Sequence, residues 1–424
     1  MPAGPEALPL VAGRPIFQNR NFVRLYSAAT ISLAGNQVGG IAVIFLVYTT
    51  SHSALQIAYL ALISTLAVVG ASVLGGTLAD RYDRRNLMIV SDGIRAVSWV
   101  GLALVVALFG FQFLPILVVT GISSALTMTF NPASQALLPR IVGKGQVAAA
   151  NGALSSTLSI VGFLAYAIGG AAVGLLGALP SIAVNGLTFV GSLVLVLAIR
   201  PTELAPEPER ASAARPGFWA DTREGFAYLR GQAGLLGITI SAAFGNFFLF
   251  LPFLLVVVYA VTVLHGGSVV FGALLAANAA GTAIGAPLVH RYRRAILPNA
   301  GKVWIVHSIL FGPAILALVL APDVYVAGAG MFALGFLIGV GGTTWLSAAQ
   351  LVVPSEMQGR YFGIDSLGSF AATPLASLLG GLLTQAYGVE FALWFAGLGI
   401  LAVGLAILPV RAIWTWGAPT PGVA

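Results

Sequence analysis

Apolar residues in this 424-residue chain gather into twelve runs separated by short polar breaks, at roughly 22–50, 54–79, 86–109, 113–134, 151–177, 181–199, 234–263, 268–289, 303–321, 325–350, 361–386 and 391–410. A helix needs about 20 apolar residues to cross a bilayer. Hydrocarbon gives the backbone no hydrogen-bond partners, so a spanning run must satisfy its own amides, and a helix does so. The pattern predicts an all-α polytopic membrane protein with twelve transmembrane helices.

The polar breaks fix an expected sidedness. With the N-terminus inside, nineteen of the twenty Lys and Arg residues fall on the cytoplasmic side, and the exception, Arg95, lies within a run. Basic loops stay in the cytoplasm, which predicts a multi-pass protein of a prokaryotic cell membrane with both termini cytoplasmic. The opposite loops, such as 50–53, 110–112 and 265–267, are too short to form a receptor or catalytic domain. Composition agrees: 58% hydrophobic, 8% charged, mean hydropathy +0.96. A net charge of +7 spread thinly over loops offers no surface for nucleic acid. With no Cys and four scattered His, no metal site, cofactor or enzymatic motif is expected.

One long connection divides the runs six and six. It predicts a tail at 1–21, an N-terminal six-helix bundle at 22–200, a cytoplasmic linker at 201–233, a C-terminal bundle at 234–410 and a tail at 411–424. The linker is proline-rich as far as Pro216; beyond it, apolar positions from Phe218 to Arg230 recur at helical spacing, as in an interfacial amphipathic helix. The halves share motifs at offsets of about 210 to 215 residues. Thr30–Asn36 answers to Thr239–Asn246, Arg81–Arg85 to Arg291–Arg294, and Gln135–Pro139 to Gln350–Pro354. A duplicated six-helix unit predicts two pseudo-symmetric bundles around a central path.

The break after the second run packs five charges into positions 80–85. Here Gly76, Leu78, Asp80, Arg81, Arg84 and Arg85 fit the G-x-L-x-D-R-x-x-R-R/K signature, and the chain resembles the major facilitator superfamily over nearly its whole length. Asn131–Pro139, Val353–Arg360 and Arg223–Gly225 resemble the branch that includes the enterobactin exporter and macrolide efflux proteins. The resemblance implies a conformational latch of Gly76, Asp80, Arg81, Arg84 and Arg85, with Asp80 meeting the start of the eleventh helix. Orientation alone is the plainer role for those arginines. The Gly-Pro of proton-driven exporters is absent from the fifth run, where Ala165–Gly170 keeps only the Gly pair.

Ionisable groups within spans are costly and therefore functional candidates. Asp92 and Asp365 are candidates for proton coupling. Asp92 can instead pair with Arg95 one turn away, and Asp365 can serve a contact between the halves. Candidate cavity residues are Asn36, Gln37, Asn246 and Asn278, with Tyr166, Phe130, Phe248 and Trp345 as aromatic walls. Interhelical bonding is the competing role for the asparagines. The function expected is proton-coupled efflux of an amphipathic drug or siderophore by alternating access. The partners are a small-molecule substrate, an ion gradient and lipid, and the chain acts as a monomer. An uptake symporter or facilitator, and a lipid-handling or sensor protein, are the alternatives.

Overall fold

A computed structural model describes residues 16–201, 218–320 and 323–417, without the side chains of 72–81, 144, 159 and 218–222. The expected tails before 16 and after 417, and the linker stretch 202–217, therefore lie outside the described residues. Among those residues there is no strand, and twelve segments are long and apolar enough to cross a membrane. The helices are α1 (Arg20–Ser51), α2 (Ala54–Arg81), α3 (Arg84–Phe109), α4 (Phe113–Val142), α5 (Val147–Leu176) and α6 (Ala178–Leu197). After α7 (Phe218–Gly231) come α8 (Ala233–Thr262), α9 (Gly267–Arg291), the short α10 (Arg293–Ile296), α11 (Ala300–Leu320) and α12 (Val324–Val352). The eleventh span is two helices, α13 (Ser355–Phe370) and α14 (Thr373–Tyr387), followed by α15 (Val389–Ala406) and the short α16 (Arg411–Trp414).

These helices form two compact units. The first comprises Met1–Val43, Ile63–Ala165 and Leu175–Ser212; the second comprises Ile44–Leu62, Tyr166–Gly174 and Ala213–Ala424. One end of α1, the start of α2 and a stretch of α5 thus belong to the second unit.

In the first unit α3 packs on α4 and α6. At one end, Phe22, Leu25, Met88, Phe130, Leu137 and Leu138 share a core. Asp83 caps α3, its carboxylate accepting from the Asn86 amide at 2.9 Å, where the helix dipole favours an acid. The next two residues bind carbonyls: Arg85 donates to Leu197 O at 2.7 Å, near the end of α6, and Arg84 reaches Ala136 O of α4 at 3.4 Å. Leu197 ends α6 and Pro201 offers it no N–H, so the Arg85 cation satisfies a carbonyl that has no helical donor. Deeper in the unit, Gly186 lets α6 approach the α3 backbone at Trp99 and Val100.

The second unit is held by a glycine seam between α9 and α12. A β-carbon on Gly281 or Gly285 would strike the backbone at Phe332 and Phe336; on Gly335 or Gly339 it would strike Asn278 and Thr282. Small residues of this kind let membrane helices gain dispersion contacts, because lipid supplies no hydrophobic drive between them. Gly170 of α5 and Gly272 of α9 cross in the same way, backbone against backbone, and Gly381 of α14 lies on Ala54, Leu55 and Ala58 of α2. At one end of the unit Leu229, Leu235, Ile238, Tyr361, Ile413 and Trp416 form a core. There α7 docks on α13: Gly225 is buried against Arg360 and Ile364, and Glu224 pairs with Arg360 at 2.9 Å.

The break in the eleventh span has a local cause. Pro374 has no N–H, which leaves the Phe370 carbonyl without its helical donor. The Thr373 hydroxyl donates to Phe370 O at 2.7 Å, and the Asn246 side chain, from α8, donates to Ser369 O at 3.1 Å. Residues 371–372 form the turn between the two helices.

Candidate functional site

Helices α8, α11, α12, α13 and α15 of the second unit enclose a cavity of about 310 Å³. Its size sits at the lower end of the range for small-molecule pockets. Ser241, Asn246, Trp304, His307, Trp345, Asp365 and Ser369 supply its polar groups, while Leu249, Phe311, Ile338, Phe370, Ile400 and Val403 supply apolar wall.

Most of those polar groups are already held in place. The Trp304 indole donates to Ser241 Oγ at 2.9 Å. His307 is buried, with Nδ1 3.2 Å from the Val303 carbonyl and its ring against Gly341. Trp345 donates to the Tyr361 hydroxyl at 3.3 Å, and Tyr361 donates in turn to Asp365 Oδ1 at 3.4 Å. The Thr239 hydroxyl donates to the same Oδ1. Asp365 is 3% exposed, and no basic side chain among the described residues pairs with it. Ser369, one turn on, turns its buried hydroxyl toward Asp365.

Three residues expected to line a cavity or carry a proton therefore come together here: Asn246, Trp345 and Asp365. Asn278 sits instead in the seam between α9 and α12, its side chain donating to Met331 O at 3.1 Å. Tyr166 lies on α5 next to the Gly170–Gly272 crossing, and its carbonyl faces Gly272. Phe248 meets Phe395 with the rings tilted by 59° and packs on Gly399. In the first unit, Asn36 and Gln37 are half-buried on α1.

Asp92 has different surroundings. It is fully buried, accepts from Ser192 Oγ at 2.6 Å and pairs with Arg95 at 3.5 Å. The Arg95 guanidinium lies between the rings of Phe130 and Phe189, 5.3 and 5.2 Å from their centroids, where the ring quadrupole stabilises a desolvated cation. For the latch, Arg84 and Arg85 make the carbonyl bonds described above, while the side chains of Asp80 and Arg81 and the surroundings of Gly76 lie outside what is described.

Thr239, Trp304, His307, Tyr361 and Ser369 had no place in the sequence reading of the site. Thr239 and Ser241 stand inside the repeated motif and could have been found there. His307 gave no signal, because a single histidine with no ligand spacing in an apolar run is indistinguishable from packing.

Twelve candidate spans in two helical units, one of them holding an apolar-walled cavity with a few polar groups, are the architecture of the major facilitator superfamily. The chain belongs to the transmembrane secretion effector family of that superfamily, whose model matches residues 13–416. It is similar to the multidrug efflux pump Tap of Mycobacterium tuberculosis, 25% identical over 401 residues that cover 91% of this chain and 92% of that one. It is also similar to macrolide efflux protein A of Streptococcus pyogenes, 24% identical over 398 residues, covering 91% and 94%. Among solved structures, a bacterial homologue of the iron transporter ferroportin in an inward-facing state shares the fold, with a TM-score of 0.71 at 15% identity over 94% of this chain and 99% of that one. The family makes the chain a transporter rather than an enzyme, with a small-molecule substrate. Twelve spans and bacterial efflux relatives place it in a prokaryotic cell membrane.

Proposed function

We propose that the protein is a secondary active exporter of amphipathic small molecules, driven by inward proton flow and working by alternating access. The observation that carries this reading is the cavity itself: apolar walls, two tryptophans and one carboxylate within spanning helices. Charged residues within spans mark substrate and proton pathways. Asp365, placed on a helix that breaks at 371–372, is the proton-coupling residue. Asp92, neutralised by Arg95 and Ser192, is the weaker candidate. The Gly76–Arg85 segment acts as a latch on the cytoplasmic side, and replacing Asp80 with Asn shifts the balance of states without affecting insertion. The protein acts as a monomer, with both termini cytoplasmic. The drug and macrolide relatives support the direction of transport.

Everted membrane vesicles from cells that produce the chain test the reading. Energised vesicles accumulate a fluorescent amphipathic dye faster than vesicles without the protein, and Asp365→Asn removes the difference. Equal accumulation across a dye panel with and without the protein contradicts export.

A further inference from the structure

We propose that the groove between α8 and α15 is a binding site for an anionic glycerophospholipid of the cytoplasmic leaflet, with an acyl chain lying along the groove and the headgroup phosphate held by Arg230 and Arg411.

Two hollows join on this face. The larger, about 680 Å³, runs from Ile413 past Gly237 and Ala406 to Phe248; the smaller, about 410 Å³, continues past Leu398 to Phe391. They meet at Phe248, whose ring lies on Gly399. From Phe391 to Ala406 alone, α15 rises about 22 Å. One leaflet of hydrocarbon is ~15 Å deep, so an acyl chain fits lengthwise. Small residues on both helices, Gly237, Gly399, Ala402 and Ala406, keep the groove open. Ser241 is the only polar side chain lining the larger hollow, and its hydroxyl is engaged, donating to Ile238 O at 2.8 Å and accepting from the Trp304 indole at 2.9 Å. That hollow therefore offers hydrocarbon contact and no free hydrogen-bonding side chain, which suits an alkyl chain and penalises a polar ligand.

Charge lies at one end, the end that the basic residues assign to the cytoplasm. Arg411 stands between Val410 and Ile413 of the lining, and Arg230 three residues before Ala233, the first lining residue of α8. The starts of α8 and α16 touch there, Gly234 against the Ala412 carbonyl. Both arginines are exposed, and neither pairs with an acid among the described residues. Arg230 shares the exposed face of α7 with Arg223 and Phe226, while Gly225 and Leu229 are buried. Basic side chains beside an apolar face draw anionic headgroups, and the guanidinium fork matches phosphate oxygens. A second copy of the chain is the poorer occupant, because two-fold docking sets the same concave surface against itself.

Native mass spectrometry of the full, delipidated chain in detergent is the test, with dioleoylphosphatidylglycerol and dioleoylphosphatidylcholine as probes. Phosphatidylglycerol is expected to bind about tenfold more tightly than phosphatidylcholine. Arg230→Gln with Arg411→Gln brings the two within about twofold of each other; Arg293→Gln with Arg294→Gln, an equal loss of charge in α10, leaves the preference in place. Ala402→Trp, which fills the groove from an exposed position, weakens both lipids, and Ala406→Phe does the same should the Trp variant fold poorly. Equal affinities in the wild type overturn the inference. So does an equal loss of preference in the two arginine pairs, which would show attraction to net charge alone. Unaltered lipid binding in the filled groove also overturns it, as does a dimer that lipid leaves intact and Ala402→Trp breaks, which would give the groove to a second copy.

Discussion

At the scale of single residues, the contrast between Asp92 and Asp365 organises the chemistry. Asp92 and Arg95 form a closed pair, backed by Ser192 and sandwiched by Phe130 and Phe189. Removing one partner of such a pair leaves the other charge buried alone, at a cost of about 3–5 kcal/mol, whereas replacing both with apolar groups is close to neutral. Arg95→Met alone is therefore expected to lower the thermal unfolding temperature in detergent far more than Asp92→Leu combined with Arg95→Met. Equal losses in the single and double variants would show that the pair is not the stabilising unit. The i, i+3 spacing made this pair legible in the sequence. Its stacking between two rings was not, since Phe130 and Phe189 lie 35 and 94 positions from Arg95 along the chain. Asp365 was legible as a lone carboxylate in an apolar run. Its hydroxyl partner Thr239 is 126 residues away and shows only when α8 and α13 pack together.

At the scale of elements, glycine spacing and the broken eleventh span matter most. Gly281, Gly285, Gly335 and Gly339 interlock α9 with α12, while Gly342, one turn beyond the seam, faces the open cavity. Gly335→Leu is expected to abolish stable folding, because the side chain must displace the backbone at Asn278, and Gly342→Ala is expected to fold as the wild type does. Size-exclusion profiles and unfolding temperatures check both, and comparable tolerance at the two sites would contradict the seam. The periodicity of small residues was readable in the sequence; which glycines meet backbone and which meet empty space was not. The same limit applies to α13 and α14. The apolar run at 361–386 predicted a single span, and the break beside Pro374 shows only in the structure. Asn246 supports that break from α8. Asn246→Ala leaves the Ser369 carbonyl without its donor, with an expected loss of about 1–3 kcal/mol, read as a lower midpoint in denaturant titration. An unchanged midpoint would show that the carbonyl finds another partner.

At the scale of the whole molecule, twelve apolar runs and a six-plus-six repeat were enough to give the fold class, because lipid permits few backbone solutions. The compact units were less legible. Residues 44–62 and 166–174 group with the second unit, through backbone crossings such as Gly170 on Gly272 that leave no pattern in hydrophobicity. Sidedness is a proposal from charge, and the absence of Cys gives a clean background for testing it. Tyr292→Cys, in the arginine-rich turn after α9, is expected to resist a membrane-impermeant maleimide in intact cells, and Tyr325→Cys, at the start of α12, to react; the reverse pattern inverts the topology.

Proton-driven export is decided most directly in liposomes that contain only this protein, with an imposed pH gradient and an amphipathic dye. Dye is expected to move against the proton flow, to reverse when the gradient is reversed, and to lose its response to the gradient in Asp365→Asn. Dye movement that ignores the gradient in the wild type, or that runs in the same direction as the protons, contradicts exchange and leaves a facilitator or a symporter.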